Sequence, residues 1–450
     1  MHDAKAFFEQ NTHIDALEAF IVDINGALRG KKIPRAGADD LFKSGVRMPL
    51  STFAFDIFGQ VVMSAGMISE TGDNDGVCRP AANTLKPAPW LERPTAQVIM
   101  SMFDSRGKAC FADPRQTLQN VLNLFAKKGW TPVVAVELEF YIIDGGLDER
   151  GNPQPPRYPR TGKRVRDTQA LSIAEVEEFE KLLADMGDAC KAQDIPADAT
   201  ISENGPGQYE INLLHHSDAL LAADQALMMK RAVRGVARRH GMDATFMAKP
   251  YGNLSGSGMH VHFSILDKKG NNIFAGKDRK GTPALRHAIA GLMQSMPDFT
   301  AIFAPNYNSY RRFAPNSHAP TTVSWGYDNR MAAIRVPESG IAATRIEHRV
   351  GGADANPYLI LAAILAGAYD GLTRQLDPGK PFSGDVYSSK AKRLPDTWQD
   401  SLAAFEKSKV VAKYFGANFK NMYLACKRQE KQHIEAQVSS LEYDAYLREV

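Results

Sequence analysis

The chain has 450 residues, and its 54 basic and 51 acidic side chains leave a net charge of +3, a balance that gives no electrostatic case for a nucleic-acid or membrane partner. An apolar fraction of 44% with 23% charged residues describes a globular protein with room for two or three domains and a substantial core. The cysteines, Cys78, Cys110, Cys190 and Cys426, form no C-x-x-C pair, which argues against a zinc knuckle or a disulfide framework and for free thiols in a reducing compartment.

Met1-His2-Asp3-Ala4-Lys5 lacks the basic and apolar regions of a secretion signal, so a cytoplasmic location is expected. The first hundred residues read as short strands and turns. Ala19-Phe20-Ile21-Val22-Asp23 and Gln97-Val98-Ile99-Met100 read as strand segments, with Asn25-Gly26 a turn signal after the first. Asp113-Pro114 then opens a helix with Leu118, Val121, Leu122 and Phe125 at helical spacing and Gly129 as its stop. A small domain is therefore expected over residues 1–108 and a large one over 109–450. The stretch from Asp144 to Thr168, rich in Gly, Pro and charge, reads as an exposed excursion. Ser217-Asp218 begins a second long helix that ends at Gly241, and the uncharged run from Pro357 to Tyr369, too short to span a bilayer, reads as a buried helix.

Four strand-like segments carry carboxylates, histidines or arginines at alternate positions: Val136 to Phe140, Gln208 to Ile211, Met259 to Phe263 and Arg345 to Arg349. Alternate side chains of a strand share a face, so Glu137 joins Glu139, His260 joins His262, and Arg345 joins Glu347 and Arg349. Such groups between apolar neighbours are costly unless a metal, a counter-charge or a substrate receives them. An exposed strand face is the bland alternative for Glu137 and Glu139. A divalent-metal site answers better to the apolar flanks, since hard cations take oxygen ligands. A glycosidase-type pair would need carboxylates across a sugar rather than side by side.

Glu203-Asn204-Gly205-Pro206-Gly207-Gln208-Tyr209-Glu210 reads as a turn delivering two more carboxylates. Gly252 to Gly258 is glycine-rich but lacks the Lys-Ser/Thr of a P-loop and leads into a strand rather than a helix. A hydrogen-bonded core histidine is the ordinary reading of His260; its pairing with His262 and Ser264 on one face favours a ligand. Arg311, Arg312, Arg330, Arg335, Arg345 and Arg349 follow within forty residues. Carboxylates for metals with arginine forks for phosphate oxygens is what metal-dependent phosphoryl transfer requires.

Together these motifs resemble the glutamine synthetase family. They stand in family order as Val136-Glu137-Leu138-Glu139, Glu203 to Glu210, Gly256-Ser257-Gly258-Met259-His260-Val261-His262, Asn308-Ser309-Tyr310-Arg311-Arg312, Asp328-Asn329-Arg330 with Arg335, and Arg345-Ile346-Glu347-His348-Arg349 leading to Asn356-Pro357-Tyr358. The resemblance implies an α+β fold: a small N-terminal β-grasp domain and a large catalytic domain with an open, funnel-like antiparallel sheet flanked by helices. It also implies homo-oligomers of stacked hexameric rings with intersubunit sites, and ATP with two or three Mg²⁺ or Mn²⁺ ions. By motif, Glu139, Glu203 and Glu210 would hold the metal near the substrate, and Glu137, His260 and Glu347 the metal at the ATP phosphates. Arg312 and Gly256 would contact the amino-acid end of L-glutamate, and Arg349 its activated carboxylate. Arg330, Arg335 and Arg345 would stabilise the moving phosphoryl group, with Ser264, Arg335 and Arg345 at the nucleotide.

The chain departs from the family at the acceptor. Ammonia-using members carry a glutamate before Ala-Pro after the Arg-bearing motif; here His318 stands there, in Asn316-Ser317-His318-Ala319-Pro320. Their N-terminal Asp-Gly-Ser-Ser is also missing, and Asp56 is the one acid nearby that could replace its aspartate. An imidazole can act as a base but offers no anion to attract ammonium. The expected activity is therefore that of a glutamate–amine ligase, similar to the γ-glutamylpolyamine (γ-glutamylputrescine) synthetases, with His318 at the amine. Phe53, Phe55 and Phe58 would line the amine's alkyl part, or simply alternate along a core strand. An ammonia-using glutamine synthetase is one alternative. A catalytically silent structural or regulatory relative is another, and it would show eroded metal ligands.

Overall fold

In the computed structural model, residues 2–69, 72–167, 170–314 and 317–450 are described; Thr168, at the end of the expected excursion, and Asn316 of the acceptor motif lie outside them. The chain runs through α1 (His2–Gln10), β1 (Ala16–Val22), β2 (Leu28–Pro34), α2 (Ala38–Ser44), β3 (Val46–Pro49), β4 (Asp75–Pro80), β5 (Lys86–Pro87) and β6 (Thr95–Phe103). It continues with α3 (Pro114–Lys128), β7 (Thr131–Asp144), α4 (Ile173–Glu178), α5 (Glu180–Ala192), β8 (Ala197–Ser202), β9 (Gln208–Leu213), α6 (Ala219–Arg239), β10 (Met242–Thr245) and β11 (Met259–Leu266). Then come α7 (Pro283–Phe303), β12 (Trp325–Tyr327), β13 (Ile334–Val336), β14 (Ile346–His348), α8 (Pro357–Arg374), α9 (Trp398–Lys407), α10 (Lys409–Phe415), α11 (Ala417–Glu435) and α12 (Ser440–Tyr446).

Local chemistry sets the main boundaries. The Asp113 carboxylate caps α3 by accepting from the Arg115 and Gln116 amides, Pro114 sits at its first position, and Gly129 closes it in the left-handed region. Asp218 and Asn356 cap α6 and α8 in the same way. The helix α8 is buried nearly all round and crosses α7 closely, because Gly291 meets Gly367 and Gly371 where any Cβ would collide with backbone. Among the described residues no helix is long and apolar enough to cross a membrane.

Two sheets result. The first has the order β2-β1-β6-β4-β3, with β5 on β6, and its central pair β1–β6 is parallel. The second has the order β12-β13-β14-β11-β7-β9-β8, with β10 on β7, and only β12–β13 is parallel. Two helices, α1 and α2, interrupt a region read from sequence as strands and turns. The alternating-strand explanation for Phe53, Phe55 and Phe58 does not hold. Leu50–Ala54 is a 3-10 turn that buries Phe53, Phe55 lies under the Arg29 guanidinium, and Phe58 is exposed against His433.

Candidate active site

Strand β7 is hydrogen-bonded on both sides, by β11 and β9. One of its faces buries Val134, Val136, Leu138 and Phe140; the other, half-open, presents Val133, Ala135, Glu137 and Glu139. Register then places His260 opposite Glu137, His262 opposite Glu347, and Glu210 opposite Glu139. Groups distant in sequence thus meet across neighbouring rungs.

Glu137 lies at the centre. Its Oε2 is 3.4 Å from His260 Nδ1, and its Oε1 is 2.9 Å from His262 Nε2, a charge contact not aligned as a hydrogen bond. Ligand atoms of Glu137, His262 and Glu347 lie within 4.8 Å of one another, as do those of Glu137, Glu210 and His260. Glu139 stands outside both groups, accepting from the Gly258 amide at 2.8 Å, and so does Glu203, on the turn between β8 and β9. His262, to which the motif resemblance gave no ligand role, joins the cluster; its signal was the position two residues after His260.

Electrostatics sharpen this picture. Burial works against ionisation of Glu137, but its polar contacts with His260 and His262 outweigh it and hold the carboxyl well below its usual range. Burial and then the Glu139 charge push Glu203 up to about 7. Burial and then Glu137, Glu139 and Glu203 push Glu210 up to about 9. A face whose carboxylates resist full ionisation, interleaved with imidazoles, is a donor set that fits divalent cations. The sign for stability follows. Raised carboxyls favour the fold below their unfolded value of 4.5 and cost stability as pH climbs through about 7 and about 9. The lowered Glu137 acts only below 4.5 and is flat over that range. Melting curves in EDTA should therefore fall from pH 6 to pH 9, and the rise produced by Mg²⁺ should be larger at pH 9; an equal Mg²⁺ effect at both would contradict the cluster.

Glu347 is a second hub. Arg335 Nη1 donates to its Oε2 at 2.9 Å and Arg349 Nη1 to its Oε1. Arg335 Nε also donates to Asp328 Oδ1 at 3.1 Å, and Arg345 Nε donates to His262 Nδ1 at 3.2 Å. Arg330 is exposed, and its charge favours ionisation of Glu203. Arg312 is buried and donates to the Val350 carbonyl at 2.9 Å. A Cβ on Gly256 would lie 2.8 Å from Arg312 Cγ and one on Gly258 2.7 Å from Arg312 Nη2, so these glycines admit the guanidinium beside the carboxylates. Next to Glu137 and His262 opens a cavity of about 820 Å³ lined by Ser264, Arg345 and His215 among others.

Residues 111–446 match the family model of the glutamine synthetase catalytic domain. The chain belongs to the glutamine synthetase family. It is 38% identical over 446 residues to γ-glutamylputrescine synthetase PuuA of Escherichia coli (strain K12), covering 99% of this chain and 94% of that relative. It is 30% identical to the glutamate–isopropylamine ligase of a Pseudomonas species, covering 98% and 96%. A solved GmaS/ADP complex superposes with a TM-score of 0.83 at 27% identity, covering 98% of this chain and 99% of the other. The GS-type catalytic fold, with mixed helix and sheet, follows from this membership.

At the acceptor position the family member shows its own features. His318 is exposed, with φ at +59°, in a loop tied back by Ser317 Oγ, which donates to the Arg312 carbonyl at 3.0 Å. Tyr387 Oη donates to the Ala319 carbonyl at 2.9 Å, a contact with no local sequence signal. Asp56 is buried and committed to its own chain. Its Oδ1 accepts from the Phe58 and Gln60 amides at 3.0 and 2.8 Å, and its Oδ2 accepts from Gln429 at 2.9 Å.

Proposed function

We propose that this family member is an ATP-dependent ligase that joins the γ-carboxylate of glutamate to an organic amine through γ-glutamyl phosphate. The observation that carries the reading is Glu137 shared by two ligand groups, with Arg335 and Arg349 converging on Glu347 beside them. In the roles we assign, Glu139, Glu203 and Glu210 serve the metal at the substrate, and Glu137, His260 and Glu347 the metal at the phosphates. Two or three Mg²⁺ or Mn²⁺ ions would supply Lewis-acid charge there.

Arg312, in the space left by Gly256, receives the amino-acid end of glutamate, and Arg349 orients its γ-carboxylate. Ser264, Arg335 and Arg345 face the nucleotide. A carboxylate oxygen attacks the γ-phosphorus, the bond to the bridging oxygen breaks, and ADP leaves. Arg330, Arg335 and Arg345 offset the charge that spreads over the phosphoryl oxygens. The amine nitrogen then attacks the acyl carbon, phosphate departs, and His318 takes up the amine proton.

An organic amine rather than ammonia is favoured by the imidazole at His318 and by the amine-ligase names of the relatives. Asp56 is buried and already accepts three hydrogen bonds within its own chain, which supports this choice. We further infer an N-terminal β-grasp domain over 1–108 and a catalytic domain over 109–450; the first sheet, ending at Phe103, and α3, starting at Pro114, support this. Stacked hexameric rings with intersubunit sites and a cytoplasmic location complete the reading.

An ADP-release assay with glutamate and a panel of amines tests it. At least one primary organic amine should exceed ammonia at equal concentration; ammonia outcompeting all of them would restore ordinary glutamine synthetase. His318→Glu should raise the ammonia-to-amine ratio of kcat/KM by at least about tenfold, because it adds an anion for ammonium.

A further inference from the structure

Helix α6 carries Lys230, Arg231, Arg234, Arg238 and Arg239 at spacings that bring them to one side. That side faces the turn between β1 and β2, the segment around Trp90, and residues 306–308, and together they enclose a cavity of about 1280 Å³. None of the ligands or arginines assigned to the reaction lines it.

Most of its cations are answered. Arg231 pairs with Glu18 and bonds Gln97, Arg238 lies 3.4 Å from Asp243, and Arg239 donates to the Pro89 carbonyl at 2.9 Å. Lys230 and Arg234, like Arg239, have no carboxylate within ion-pair distance among the described residues. Lys230 is 7% exposed, and its Nζ donates to the Ala355 carbonyl at 2.9 Å. Both cations rest on one ring, with Lys230 Nζ 5.5 Å and Arg234 Cζ 5.0 Å from the Phe246 centroid. The acids of the wall do not fill the gap. Glu430 is bound to Lys427, and Glu92 is exposed. Asp354 Oδ2 accepts from Asn306 at 2.8 Å and Ser309 at 2.6 Å, while its Oδ1 has no hydrogen-bond partner and its charge favours the Lys230 cation from beyond ion-pair distance. Burial, and then the charge of Arg234, pull Lys230 down to about 7. A buried ammonium is costly unless an anion meets it; Arg234 is exposed and adds its charge at the cavity's open side.

We propose that this cavity binds a small dianion, a phosphate ester or a dicarboxylate, whose oxygens pair with Lys230 and Arg234. Guanidinium forks and ammonium groups are the usual partners of such oxygens. No ligand or arginine assigned to the reaction in the same chain lines the site, and we read its occupant as an effector rather than a reactant.

Calorimetric titration of the assembled full chain with inorganic phosphate and, separately, with succinate tests this. One site per chain is expected for at least one probe; preference for phosphate assigns the phosphate ester and preference for succinate the dicarboxylate. Arg234→Gln and Lys230→Met should each weaken that binding at least about tenfold, whereas Arg335→Ala should leave it intact. Lack of binding by either probe overturns the proposal. Unchanged affinity in Arg234→Gln with a parental melting temperature overturns it as well, and so does loss confined to Arg335→Ala, which would place phosphate in the catalytic cluster.

Discussion

Glu137→Ala is expected to lower kcat by about three orders of magnitude, equivalent to roughly 4 kcal/mol at the transition state. The residue belongs to both ligand groups, so no single neighbour can compensate for it. The same change relieves the charge that pushes Glu210 up but also removes the carboxylate that His260 and His262 hold ionised, so the metal-free protein should lose stability at neutral pH. The Mg²⁺-dependent rise in melting temperature should vanish with the activity. Steady-state ADP release and melting curves with and without Mg²⁺ measure both effects, and a retained Mg²⁺ response would show that Glu137 is not the shared ligand.

Lys427→Met should be the most destabilising single change outside the active site. Lys427 and Glu430 are both 0% exposed. Lys427 Nζ lies 2.9 Å from Glu430 Oε2 and also donates to Asn25 Oδ1. Glu430 Oε1 accepts from Asn25 Nδ2 at 3.0 Å and from the Ile57 amide at 2.9 Å. Removing the ammonium strands a buried carboxylate, a loss of about 3–5 kcal/mol. Lys427→Met/Glu430→Gln should recover part of it, since the amide carbonyl still accepts from Ile57 without a buried charge. Urea unfolding at fixed protein concentration gives the comparison, and amide exchange at Ile57 locates it. A double variant no more stable than Lys427→Met would mean that charge burial is not the cause.

The parts legible in the sequence were those written locally. Asp113, Pro114 and Gly129 bounded α3, and the alternation through Glu137 and Glu139 set the two faces of β7. The family motifs named Glu137, Glu210, His260 and Glu347, which the structure brings together, but also Glu139 and Glu203, which stand outside both groups, and they gave His262 no role. What stayed hidden depends on pairing across the fold. Whether Glu137 groups with Glu210 or with Glu347 is decided by the registers of β9, β11 and β14, which no single segment encodes. The bonds from Asn25 to Lys427 and Glu430 join the two ends of the chain, with no local signature. Phe53, Phe55 and Phe58 misled for a related reason: spacing that fits a strand also fits a 3-10 turn followed by a loop when the packing partners come from Arg29 and His433.

The placement of His260 opposite Glu137, His262 opposite Glu347 and Glu210 opposite Glu139 makes the carboxylate–imidazole face a property of the hydrogen-bond ladder. A slip of one residue in any of these pairings would turn a ligand to the opposite face of the sheet. A slip therefore removes a donor outright rather than displacing it. Among its described residues the loop around His318 is held by no strand pairing, so substitutions there leave the ladder untouched.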